Sequence, residues 1–142
     1  MAPRIGYRQP QAGGQGFART MKVFGGPVIT LVTADVQLNA QVAIARVPKG
    51  FVVLSGSIIW GACDSGAALS MSVGDVGNTA RLLATNTTCR AGGTVALTPP
   101  ATVGFQYTDD TDIILNATAG AAGGIIGATP TAAIILQGYM GP

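Results

Sequence analysis

Three closely spaced carboxylates form the densest group of side chains in this sequence that could do chemistry. Asp109, Asp110 and Asp112 offer oxygen atoms of the kind that Ca²⁺ takes as ligands. Their spacing is not that of an EF-hand loop, and the sequence has no Glu to complete such a site with a bidentate side chain. We therefore expect a solvated turn between two strands here, and we predict no metal site.

The other reactive side chains argue against an enzyme. The sequence has no His, so Asp64 beside Ser65 cannot belong to a Ser-His-Asp triad. Neither Lys22 nor Lys49 follows a Ser-x-x-Lys pattern, and the glycines lack the spacing of a phosphate loop or a dinucleotide-binding loop. We predict no catalytic residue and no cofactor.

Several other residues receive structural predictions. Two cysteines are too few for a disulfide framework or a cysteine metal site, so we expect Cys63 and Cys89 to be free, buried thiols. Trp60 is expected to pack in the core or at its rim. Asp75 and Arg81 could form a surface ion pair that staples a loop, and such a pair contributes at most about 1 kcal/mol.

The scarcity of charge is the strongest indication of how the protein exists in solution. Charged residues make up 10% of the 142-residue chain, against about 25% in an average soluble domain. A freely diffusing monomer usually carries a much more charged surface. We therefore predict that other protein chains cover much of this exterior.

The charges that remain are unevenly placed. Residues 1–34 carry a net charge of +4 and no acid, whereas residues 35–142 carry −2. Residues 1–27 are rich in Gly and Pro, which oppose regular structure, yet they also contain apolar anchors. We predict an extended arm over 1–27 and one domain over 28–142. The side chains proposed to contact a partner are Arg4, Tyr7, Arg8, Phe17, Arg19, Lys22 and Phe24.

Three partners could receive this arm. An acidic protein surface is favoured, because arginines make charge-assisted bonds to carboxylates and the apolar anchors need an apolar groove. The arm could instead pack on its own body or on a second copy. Nucleic acid is the third alternative, but arms that bind it tend to be more basic.

Short apolar or alternating segments recur about every ten residues and are separated by turn chemistry, which is typical of an all-β sandwich or barrel. The segment 80–84 could be a helical turn or an edge strand. The predicted strands are 28–32, 42–47, 51–60, 69–73, 94–97, 103–107, 113–118 and 132–140. Residues 113–142 lack charge, but their Gly, Pro, Thr and Asn residues interrupt any membrane span.

Three of these segments resemble a known family. They are SVGDVGNTARLL at 72–83, YTDDTDIILNAT at 107–118 and AIILQGY at 133–139. The arrangement resembles the cement, or head decoration, proteins of tailed bacteriophages. It is most similar to the jelly-roll cement protein of short-tailed Bordetella phages, over roughly residues 30–140.

The resemblance implies a jelly roll of about eight antiparallel strands that sits outside an HK97-like shell, assembled in the host cytoplasm. It also implies a dimer or trimer that bridges neighbouring major capsid subunits, without direct contact to nucleic acid or membrane. No catalytic residues come with that family. A head-fibre or receptor-binding β-sandwich is the alternative function, and an oligonucleotide-binding barrel is a third class.

Overall fold

The computed structural model describes residues 21–98, 105–124 and 126–141, and most of these lie in strands. Two single 3-10 turns, Thr33–Val36 and Ala122–Gly124, interrupt them. No helix within these ranges is long and apolar enough to cross a membrane. The strands are β1 Met21–Gly25, β2 Ile29–Thr30, β3 Gln41–Val47, β4 Phe51–Trp60, β5 Ser70–Asp75, β6 Asn78–Asn86, β7 Gly93–Ala96, β8 Phe105–Gln106, β9 Thr111–Ala119 and β10 Thr131–Met140.

The strand pairs are nested like those of one long hairpin. β5 and β6 form its tip; β4 pairs with β7 and β8, β3 with β9, and β1 and β2 with β10, all antiparallel. Two further pairings, β10 with β4 and β9 with β5, fold this ribbon into two sheets. Their orders are β1-β10-β4-β7 and β3-β9-β5-β6. This is a jelly roll, so the predicted fold class is confirmed.

Alternation along the strands builds the core between the sheets. In β10, Ala132, Ile134 and Leu136 are buried while Ile135 is exposed. Opposite them, the second sheet contributes Val73 and residues of β9 such as Ile113 and Leu115, all at most 1% exposed. Each such aliphatic side chain contributes roughly 1.5–3 kcal/mol on burial. The described strands form two separate sheets and not one closed barrel.

The strand predictions agree with the structure except at particular places. The ambiguous segment 80–84 lies inside β6, a nine-residue strand. The predicted strand 28–32 is reduced to the two residues of β2, and positions 103–104 of another lie outside the described residues.

The last part of the predicted arm also has a described structure. Met21–Gly25 forms β1 on β10, and the Phe24 ring packs edge-on against Phe51 with centroids 4.6 Å apart. The division at residue 27 stays a prediction, because residues 1–20 lie outside the described part.

A β-bulge in β4 interrupts the regular pairing between β10 and β4. Gln137 lies opposite Ser55 and Gly138 opposite Val53, so that Leu54 has no partner in the register. A Cβ atom added at Gly138 would overlap the carbonyl oxygen of Val52. The close approach of the two backbones at this point therefore requires glycine.

Candidate functional site

The seven side chains predicted to contact a partner are only partly described. Lys22 is exposed on the edge strand β1, and Phe24 is half-buried against Phe51 of its own core. Phe24 therefore packs on the domain of its own chain, and Lys22 faces solvent. The role of the set as a contact surface stays a prediction. The members that lie outside the described residues are Arg4, Tyr7, Arg8, Phe17 and Arg19.

An open cleft of about 370 Å³ lies between the β5–β6 turn and the segment that leads from β8 into β9. On its wall, Arg81 Nε donates to Asp75 Oδ2 at 2.6 Å. The Arg81 guanidinium also lies 4.0 Å from the centroid of the Phe105 ring. The predicted ion pair is thus present, but its predicted surface position is wrong. Asp75 is only 4% exposed, because β5 is covered on both faces.

The ionisation of this cluster is set by burial and by the ion pair. Burial alone would raise the pKa of Asp75, but bonds from Arg81 and from the Asn78 N–H outweigh it and hold that pKa below its usual value. Burial also raises the pKa of Tyr107, and the Asp75 charge adds to the effect. Among the described residues, the Tyr107 hydroxyl finds no hydrogen-bond partner of ordinary geometry. The carboxylate therefore stays charged and the phenol neutral at pH 7, which suits a structural cluster.

Two of the three clustered carboxylates tie the turn before β9 to its surroundings. Asp110 Oδ1 accepts the backbone N–H of Lys49 at 2.8 Å, and Asp112 pairs with Arg46 at 2.9 Å. Asp109 is exposed. Within the described ranges, no group of three or more His, Cys, Asp or Glu residues is arranged to hold a metal ion.

Asp64 is a structural residue whose role the sequence analysis did not identify. Its carboxylate accepts backbone N–H groups from Gly66 at 2.8 Å, Ala68 and Leu69 at 2.7 Å each, and Ala122 at 3.3 Å. Burial would raise the pKa of Asp64, but these four donors hold it below its usual value. The Asp-Ser-Gly sequence was the available signal, since Asp commonly bonds its own backbone two residues on.

The cysteines and the tryptophan occupy the core. Cys63 and Cys89 are free and fully buried, as predicted. Burial raises the pKa of Cys63 to about 11 and that of Cys89 to about 12, so both stay neutral thiols at physiological pH. Trp60 is 4% exposed, which confirms its packing role.

Known structures share this fold along almost its whole length. A chain of the capsid asymmetric unit of cyanophage Pam1 matches with a TM-score of 0.68 and 22% identity, covering 98% of this chain and 97% of that one. A chain of the capsid of Ralstonia phage GP4 matches with a TM-score of 0.67 and 24% identity, covering 96% and 94%. No protein-family model and no curated protein sequence matches. At these identities the likeness establishes the jelly-roll fold.

Proposed function

We propose that this protein is a structural component of a tailed-phage virion. In this proposal it is a cement, or decoration, protein that binds the outside of an assembled icosahedral capsid and bridges neighbouring major capsid subunits. The end-to-end likeness to chains from two phage capsids carries the proposal, because it spans nearly all of this chain and nearly all of each matched chain. The low charge content supports it, since a bound shell would cover part of a neutral surface.

The proposed mechanism is thermodynamic. A protein that binds the assembled shell and not its free subunits stabilises the shell by mass action. A homodimer, or a trimer, engages two or more sites, and each contact after the first is effectively intramolecular. The basic N-terminal segment supplies arginines for charge-assisted bonds to an acidic capsid surface.

The two buried carboxylates already have hydrogen-bond partners within the protein, which supports a role without catalysis. Asp64 is saturated by backbone N–H groups, and Asp75 is held by Arg81. Both carboxylates are buried and serve to fix loops. A general acid or base must instead reach a proton of its substrate.

Binding to phage heads tests the proposal. Heads assembled without this protein are mixed with the full chain, pelleted and assayed for bound protein per capsid. We expect fixed stoichiometry, and binding weakened about tenfold or more when Arg4, Arg8 and Arg19 are all replaced by Gln, as for the loss of several charge-assisted bonds.

Arg46→Gln is the matched control, because Arg46 is exposed and already pairs with Asp112. It should leave head binding unchanged. Heads that bind no protein would refute the cement function, and glycan binding by the free chain would then favour a receptor-binding module. If the triple variant binds heads as tightly as the wild type, only the role of the three arginines is refuted.

A further inference from the structure

The outer face of the sheet β1-β10-β4-β7 carries no charged side chain in the described residues. Its rows follow from the strand register: Val23 lies opposite Gln137, Ile135 opposite Ser57, and Ala133 opposite Ile59. Residues directly opposite each other share a face. We call this surface the uncharged face. Its members include Met21, Val23, Ala133, Ile135, Gln137, Ser55, Ser57, Ile59, Thr94 and Ala96.

Large apolar side chains on the uncharged face are open to solvent. Val23 is 63% exposed, Met21 55%, Ile59 44% and Ile135 39%. The only charged residue on these strands is Lys22, which lies opposite Gly138 and so has the parity of the inner face. A sheet face with several exposed aliphatic side chains and no charge is a typical protein-interaction surface.

The other sheet has a different exterior. Arg46 of β3 and Asp112 of β9 form an exposed ion pair there, and Gln41 bonds Asn116. These cross-strand pairs suit a surface that faces water. The outer face of one sheet is therefore suited to contact with another protein, and the outer face of the other sheet is suited to contact with water.

We infer that the uncharged face binds the same face of a second copy of this chain. This inference names the contact surface of the proposed homodimer, and it therefore rests in part on the proposed function. Against a charged partner surface, this face would leave the partner's charges desolvated and unpaired. A second copy presents an identical uncharged face, so a two-fold contact buries no charge on either side.

The size of the face fits this use. Four strands spaced about 4.8 Å apart make the face about 19 Å wide, and about seven residues per strand at about 3.4 Å each make it about 24 Å long. The projected area of the face is therefore roughly 500 Å². Two such faces together cover about 1,000 Å², where specific protein interfaces begin. The two sheets would then pack about 10 Å apart, as sheets do inside a sandwich.

Sedimentation equilibrium of the full chain tests the inference. We expect a dimer at micromolar concentration. Val23→Asp and Ile135→Asp each place a carboxylate in the proposed contact, and each should raise the dimer dissociation constant about 100-fold or more, because a buried unpaired charge is strongly unfavourable.

Val76→Asp and Leu38→Asp are matched controls. Val76 is 79% exposed and Leu38 62% exposed, and neither belongs to a strand of this sheet. The controls should remain dimers. Circular dichroism verifies folding, and if Ile135→Asp fails to fold, Val23→Asp on the edge strand decides.

Three results would overturn the inference: a monomeric wild-type chain, dimers of folded Val23→Asp as stable as wild type, or equal dissociation of a control. Head binding is measured separately. A monomer that binds heads would refute only the contact between two copies. A dimer that does not bind heads would refute only the cement function.

Discussion

At the scale of single residues, the acids of this chain act mainly as fasteners for the backbone. Asp64 joins the loop between β4 and β5 to Ala122, which is 58 positions away in the sequence. Asp75 closes the β5–β6 turn through Asn78 and Arg81. Since the chain has only six acids, these two buried carboxylates are a notable share of its charge.

Removing the Asp64 carboxylate should destabilise the fold severely. Asp64→Ala leaves four backbone N–H groups, one buried and three partly buried, without their acceptor, at a cost of about 3 kcal/mol in the free energy of unfolding. Urea unfolding followed by circular dichroism measures the loss. Asp109→Asn, at an exposed position, should change stability by less than about 0.5 kcal/mol. Comparable losses in the two variants would show that Asp64 has no special role.

Residue-level predictions succeeded where chemistry is local. Free, buried cysteines and the Asp75–Arg81 pair follow from residue type and from a six-residue spacing. The burial of Asp75 does not, because it depends on the packing that covers both faces of β5 in the folded chain. The four N–H groups around Asp64 likewise come from a loop geometry that only the folded chain defines.

At the scale of elements, β10 is the strand on which the first sheet depends. It pairs with β1 and β2 on one side and with β4 on the other. Beside the bulge at Leu54 of β4, the backbones of β4 and β10 approach closely at Gly138, where a side chain has no room.

Gly138→Ala should therefore destabilise the protein by about 2 kcal/mol or more, since overpacking against backbone forces the strands apart. Gly25→Ala in the neighbouring strand is the control. A Cβ atom there would lie 3.3 Å from the Ile134 carbonyl oxygen, which needs only a small adjustment. Thermal unfolding compares the two variants. A melting temperature equally lowered by both would argue against the close approach at Gly138.

Element positions could be predicted from period-two alternation, and most strands were. β1 was not, because its partner β10 lies more than 100 residues away and its sequence is framed by Gly and Pro. β6 stayed ambiguous, since Arg-Leu-Leu fits a helix as well as a strand until β5 is beside it. The uncharged face was also invisible, because it exists only once the register is fixed.

At the scale of the whole molecule, stability should be insensitive to pH over the neutral range. The sequence has no His and no Glu, so no side chain ordinarily titrates between about pH 5 and 8. Burial would raise the pKa values of Asp64 and Asp75, but the hydrogen bonds that each carboxylate accepts hold both pKa values below the usual one for aspartate. Their contribution is therefore fully present above the unfolded-state pKa and is lost as the pH falls through the folded-state values.

We expect the free energy of unfolding to be flat from about pH 5 to 8 and to drop below about pH 4. Urea unfolding at a series of pH values measures it. In Asp64→Asn, stability should be lower at pH 6 but should fall less on acidification, since one titrating group is gone. A steep decline already between pH 5 and 7 would contradict this assignment.

The nested pairing also governs when the protein can fold during its synthesis. The inner strand of the first sheet, β10, is the last of the described strands to be made, and β1 and β2 pair with no other described strand. Until residues 131–140 have left the ribosome, among the described strands β4 can pair only with β7 and β8, and β1 and β2 have no partner strand. The first sheet therefore cannot close before β10 has been made, and its folding is expected to be slow, as for other folds dominated by distant contacts.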